Sequence, residues 1–327
     1  MNPFEETDNT INLEIPTDEK GLMGRKCPHR DCGKYFKLKP GTVQKGEIPC
    51  HCPYCGFTGD SGDFLTPDQR EYVKAVALNY ASEEIHKMLK ACEFDYKPSG
   101  GFGIGISMKA TGSPQRFHHW YREKELETDV VCDRCTLVYA IYGAFSFCPD
   151  CGSHNSLTIL RKNLEIAEKL LTLAAAQERE VAEHLVGDAL ENIVSAFDGF
   201  GREICRVAAP KSALPGAAED VRFQNLVGAR GRLQKLFGFD LMSFVPKADW
   251  DFACRCFQKR HLLAHKMGVI DDDYIQATQD PTAVVGRKVQ IKPDEVKRLR
   301  QVIGQLGENL VGQLLPSAPT TISSGAS

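Results

Sequence analysis

Eight cysteines in four close pairs constrain this chain more than any other feature. The cleaner set reads Cys132-Asp-Arg-Cys135, twelve intervening residues, then Cys148-Pro-Asp-Cys151-Gly152. Each C-x-x-C turn aims two thiolates at one point, and two such turns complete a tetrahedron, the arrangement preferred by structural zinc. Gly152, directly after the last ligand, lets the backbone turn with positive φ. Leu137-Val-Tyr-Ala-Ile-Tyr142 lies between the pairs and predicts a strand. The other set is looser: Cys27-Pro-His-Arg-Asp-Cys32-Gly33, then Cys50-His-Cys52-Pro-Tyr-Cys55-Gly56. Its preferred ligands are Cys27, Cys32, Cys52 and Cys55, with Cys50, His51 and His29 as nearby alternatives.

Both sets resemble zinc ribbons. Four thiolates fill a coordination shell and leave no place for water or substrate, so the spacing points to two structural zinc ions rather than catalytic ones. Small β units bury too little to fold alone, and metal binding supplies the missing stability. Between Lys20 and Lys45 the first set also carries eight bases (Lys20, Arg25, Lys26, Arg30, Lys34, Lys37, Lys39, Lys45) against the single acid Asp31, with Tyr35 and Phe36 interleaved. That combination suits phosphate contact with base stacking; a solvated basic face explains it equally well.

Composition narrows the setting. Of thirteen cysteines, ten precede residue 152, and an odd total fits a closed disulfide framework poorly. No stretch approaches the roughly 18 apolar residues of a membrane helix, and the start, Met1-Asn2-Pro3-Phe4-Glu5-Glu6, lacks the pattern of a signal peptide. The expectation is a soluble, cytoplasmic protein. A net charge of −3 gives no bulk argument for nucleic-acid binding, which must rest on local patches.

The pattern along the chain is modular. Residues 1–21 read as a disordered tail, 22–62 as the first ribbon, and 63–115 as a helical connector with a Gly-rich loop. Residues 116–160 read as the second ribbon, 161–315 as an all-α helical bundle, and 316–327 as a second disordered tail. Thr66-Pro67-Asp68-Gln69 predicts a capped helix start, and that helix runs over 66–91. The loop at 98–115 alternates Gly and apolar residues as a strand or loop does, without the spacing of a phosphate-binding motif. A helical period runs over 161–206, with Gly187 or Gly199-Phe200-Gly201 as breakers, followed by segments at 218–237, 247–267 (ending near Gly268) and 293–315. Asp271-Asp272-Asp273 reads as solvated or as a cap for the next helix. Cys254 and Cys256 read as buried apolar residues.

Within 247–267, Arg260-His261-Leu-Leu-Ala-His265 is followed by Gly268-Val-Ile-Asp271. The R-x-x-x-x-H pattern with a polar second position, an earlier helix around 189–200 and a long final helix resembles the signature of the HEPN superfamily, over about half of the chain. That resemblance implies a helical bundle, assembly as a homodimer with a composite site, and metal-independent endoribonuclease activity on RNA, in toxin, stress or phage-defence settings. By the same resemblance Arg260 binds phosphate, His265 acts as acid or base and His261 orients them. A histidine exchanges protons near neutral pH and a guanidinium offsets phosphate charge, so these residue types suit cleavage driven by the RNA 2′-hydroxyl. Residues five apart do not share a helix face, so the pairing relies on loosened geometry at a helix end, whereas His261 and His265 do share one. Non-cleaving members exist, and the runner-up is a binding or scaffold protein whose ribbons hold a protein partner. A DNA binder acting through the ribbons is a weaker third. The bases Arg287, Lys288, Lys292, Lys297, Arg298 and Arg300 form a solvent face or, in the nuclease reading, an RNA track.

Overall fold

The computed structural model describes residues 15–40, 49–96, 106–119, 122–126 and 128–315. Residues 98–105 of the loop expected over 98–115, residues 1–14 of the first tail and all of 316–327 therefore lie outside the described residues. The chain divides into two compact units at the Gly152/Ser153 step. The expected boundary at 160/161 lies too late, because the helix thought to open near Arg161 already opens at Ser156.

The first unit is built on one antiparallel sheet. β1 (Met23–Lys26) pairs with β2 (Tyr35–Leu38). The short pair β3 (Cys50–His51) and β4 (Thr58–Gly59) follows. Helix α1 (Pro67–Ala91) comes next, opened by the expected capping box: Thr66 accepts from the Gln69 N–H and Gln69 answers to Thr66. A hairpin of β5 (Phe94–Tyr96) and β6 (Ile106–Met108) leads on to β7 (Thr128–Val131) and β8 (Val138–Ile141). The strand order β1-β2-β8-β7 merges the two expected ribbons into one sheet. They are not separate modules: β2 and β8 pair antiparallel, with Lys37 opposite Ala140 and Leu38 opposite Tyr139. Phe36, Leu38, Leu137, Tyr139 and Ile141 bury their side chains in a core shared by both cysteine sets.

The second unit is all-α among its described residues. α2 (Ser156–Ala174) and α3 (Arg179–Ala208) pack along one another. α4 (Pro215–Glu219) and α5 (Leu226–Phe237) follow, then α6 (Lys247–Lys266), α7 (Asp272–Thr278) and α8 (Pro293–Leu314). The 161–206 run does break, but at residues 175–178 rather than at a glycine. The apolar faces of α2 (Leu160, Leu164, Leu171) and α3 (Leu190, Ile193, Phe197) share one core, and a straight rod could not bring them together. Gly201 stays inside α3 because the Phe223 ring lies against it; a Cβ there would meet the ring at 2.5 Å. Phe223 also splits the expected 218–237 segment in two. Its N–H donates to Asp198 Oδ1 at 2.6 Å, which fixes an extended stretch between α4 and α5.

Candidate functional site

The knuckles of the first unit bring the predicted ligands together. The Sγ atoms of Cys27, Cys32, Cys52 and Cys55 lie within 4.8 Å of one another, as do those of Cys132, Cys135, Cys148 and Cys151. Opposed sulfurs are 3.7 Å (Cys27 to Cys55) and 3.8 Å (Cys32 to Cys52) apart in the first group. In the second they are 3.6 Å (Cys132 to Cys151) and 3.4 Å (Cys135 to Cys148) apart. A tetrahedral four-thiolate centre with metal–sulfur bonds of about 2.3 Å sets its sulfurs about 3.8 Å apart. Both groups fit such a centre, could each hold one metal ion, and are compatible with ribbon-like modules. Cys50, His51 and His29 stand outside the clustered ligand atoms: His51 Nδ1 lies 2.8 Å from Thr58 Oγ1, and Cys50 is a buried thiol pushed up to about 12 by burial.

The backbone explains the convergence. The Cys27 N–H donates to Lys34 O and the Cys132 N–H to Leu137 O, both at 2.9 Å, which closes the two leading knuckles the same way. The wider Cys27 to Cys32 loop is absorbed by Gly33 at φ 55°, and Thr136 takes the matching left-handed turn at φ 62°. Gly56 and Gly152 follow the last ligands at φ 72° and 64°. Burial pushes the Cys27 thiol up to about 11 and the Cys135 thiol up to about 12. Hydrogen bonds from Cys132 and Cys151, then burial, push Cys148 up as well. A bound dication reverses that preference by stabilising the thiolates, and its uptake releases protons.

The bases of the first ribbon divide between the interior and the surface. Arg25 and Lys37 are buried, and Lys37 Nζ pairs with Asp18 at 2.7 Å. Lys20 pairs with Asp129 at 2.6 Å, and Lys45 lies outside the described residues. Phe36 is fully buried and offers no stacking face; Tyr35 is half-buried, its hydroxyl donates to Glu123, and Lys124 Nζ lies 5.6 Å from its ring centroid. The neighbouring cleft, about 450 Å³, places Asp18, Glu19, Glu123, Glu125 and Asp129 around Lys20, Lys37 and Arg122. Lys26, Arg30, Lys34 and Lys39 remain exposed.

In the second unit, α6 stays helical through Lys266, so the expected loosening between Arg260 and His265 does not occur. Five helical residues turn the two side chains about 140° apart. The structure brings His261 and His265 together: both are exposed, with ring centroids 4.8 Å apart. Arg260 stands apart from that pair. Its side chain is 12% exposed, and its Nη2 donates to Glu191 Oε1 of α3 at 3.1 Å. Glu191 went unnoticed in the sequence, where it is one acid among many on a helical face; only the packing of α3 on α6 singles it out.

Past α6 the chain reverses through Met267 and Gly268, both left-handed. Asp271 caps α7 by accepting from the Tyr274 N–H at 2.8 Å, as its position suggested, and also pairs with Lys266. Residues 286–289 are strapped onto this turn: Val289 N–H donates to Gly268 O, Ile270 N–H to Arg287 O, and Val269 bridges Lys288. Arg287 and Lys288 are thereby held, exposed, beside the C-terminal end of α6. Further along, Arg298 is committed to Asp249 and the Phe252 ring, and Arg300 to Glu168.

No protein-family model matches the chain, and comparison with curated proteins and with solved structures finds no match. No helix among the described residues is long and apolar enough to cross a membrane.

Proposed function

We propose that the second unit is a metal-independent endoribonuclease of the HEPN type and that the first unit holds two structural zinc ions. The observation that carries the nuclease reading is the C-terminal end of α6. Two exposed imidazoles stand side by side there, a guanidinium on the same helix is fixed by Glu191, and a strap holds Arg287 and Lys288 on the turn that follows the helix. In this reading the strap lies under the RNA backbone. His265 accepts the proton of the 2′-hydroxyl as it attacks phosphorus, the bond to the 5′-oxygen breaks, and the departing 5′-oxygen takes a proton from water. The products are a 2′,3′-cyclic phosphate and a 5′-hydroxyl. Arg260 answers the phosphate charge when substrate draws it from Glu191, His261 orients the reacting groups, and a second copy completes the site as the family resemblance implies. Zinc is the ion that closed four-thiolate shells in a reducing compartment favour, and such shells leave no open coordination position.

The test is cleavage of RNA by the full chain with free divalent ions chelated and folding checked by circular dichroism. His265→Ala is expected to lower the rate about 100-fold or more, with cyclic-phosphate ends on the wild-type products. Equal cleavage by the variant, or none by the wild type across structured and single-stranded RNAs, overturns the nuclease reading. The burial of Arg260 against Glu191 favours a second one, a non-catalytic binding module in which that pair ties α6 to α3. Under it, RNA or a protein partner is bound without cleavage.

A further inference from the structure

The two cysteine groups meet through reciprocal contacts. In β2 and β8, Lys37 and Ala140 occupy equivalent places, and they are paired with each other. The knuckles repeat the relation. The residue before Cys52, His51, donates its N–H to Pro149 O at 2.8 Å, and the residue before Cys148, Phe147, donates its N–H to Pro53 O at 2.8 Å. Each knuckle thus bonds the proline carbonyl of the other. The closing glycines follow suit: a Cβ on Gly56 would lie 3.2 Å from the Phe147 ring, and a Cβ on Gly152 would lie 3.2 Å from the His51 ring. Beneath them Cys27, Cys52, Cys132 and Cys148 share one buried cluster with Phe36 and Tyr139.

We infer that the two metal sites load cooperatively, each ordered knuckle serving as the template for the other. The first ion fixes one knuckle, and so fixes an N–H and a carbonyl that the second knuckle needs. The second ion then orders a segment already half constrained, and its binding carries less of the entropy cost. The sheet unit therefore responds to metal steeply, passing from empty to doubly loaded over a narrow range of free ion.

The experiment is native mass spectrometry of the metal-stripped full chain titrated with zinc, counting chains with no, one and two ions. Independent sites, equal or unequal, leave half or more of the chains singly loaded at half saturation. Tenfold coupling between sites of equal affinity lowers that fraction to about one quarter, and this is the expected result; a singly loaded fraction of half or more, together with an affinity at the Cys27, Cys32, Cys52, Cys55 site that changes under twofold in the double variant Cys148→Ser, Cys151→Ser, overturns the inference. Phe147→Ala keeps all eight ligands and removes the ring from the Gly56 turn, so it is expected to move the fraction back toward half. An unchanged fraction overturns the assignment of coupling to these contacts. Where that variant fails to fold, chelator competition on the double variant Cys148→Ser, Cys151→Ser replaces it. Affinity at the Cys27, Cys32, Cys52, Cys55 site is expected to fall about tenfold or more, and a change under twofold refutes coupling.

Discussion

The two units reach stability by different routes. Among the described residues the helical unit gathers 37 buried apolar residues in one cluster, with Phe197, Phe200, Phe223 and Phe257 at its centre. The sheet unit gathers 12, and five of those are cysteines. Burial of apolar surface contributes about 25 cal/mol per Å², so the larger cluster can support its helices alone, while the smaller one needs the further stability that metal ions in its two cysteine groups would supply. The difference extends to single elements. The helices α2, α3 and α8 each bury a full stripe, whereas α1, 25 residues long, buries only Gln69 among its residues.

The largest effect that can break this comparison is metal removal. A strong thiol-competing chelator at neutral pH is expected to unfold the sheet unit and spare the helical one. Amide resonances of β1, β2, β7 and β8 should collapse to unfolded positions. The helical circular dichroism should fall only slightly, since α1 is the sole α-helix of the sheet unit among the described residues. If both sets of signals vanish together, the helical unit does not stand on its own core and the contrast is wrong.

What was legible in the sequence divides along the same line. Cysteine spacing is a local code, so Cys132, Cys135, Cys148 and Cys151 could be grouped without knowing the fold. The fusion of the two ribbons could not be read, because it depends on register between four-residue strands about a hundred residues apart, too short to carry a period. Which bases of the run over 20–45 face inward could not be read for a related reason: composition counts charges, but pairing decides that Lys37 turns inward to Asp18 and Phe36 enters the core. In the helical unit the long periods of α3, α6 and α8 were plain. The partner of Arg260 was not, since Glu191 is 69 residues away and meets it only through helix packing.

A smaller effect sharpens the comparison inside the helical unit. Glu203 sits with its carboxylate 2.7 Å from Arg206 and 3.2 Å from His154. Burial alone would raise its pKa; the hydrogen bonds from Arg206 and His154 outweigh that and hold it at about 2, against an ordinary value of 4.5. A carboxyl lowered on folding stabilises the fold fully above its unfolded value and loses that contribution as pH falls toward its folded one. Glu203→Gln is therefore expected to cost about 1–3 kcal/mol at pH 7, nearer the low end because Arg206 is half exposed and screened. The gap between variant and wild type should shrink as pH falls from 4.5 toward about 2. Urea unfolding followed at 222 nm at pH 7 and pH 3 measures it, and a gap independent of pH would show that packing rather than charge is at work.

The smallest effect concerns α1, the element that neither route secures. Its one buried residue, Gln69, donates from Nε2 to Gly24 O at 2.9 Å and to Glu123 at 3.2 Å, and its backbone N–H reaches Thr66 Oγ1 at 3.1 Å. The first turn is thus pinned to the sheet by the cap and one amide side chain, while Leu78, Ile85, Met88 and Leu89 further along are exposed. Thr66→Ala removes the cap at a cost of about 1 kcal/mol. With so little other burial, that loss should appear locally, as exchange about fivefold faster at the amides of the first turn. Metal content should not change, because no ligand and no knuckle hydrogen bond involves Thr66. If the variant loses metal as well, α1 belongs to the folding unit of the sheet, and the division of labour between core and metal must include this helix.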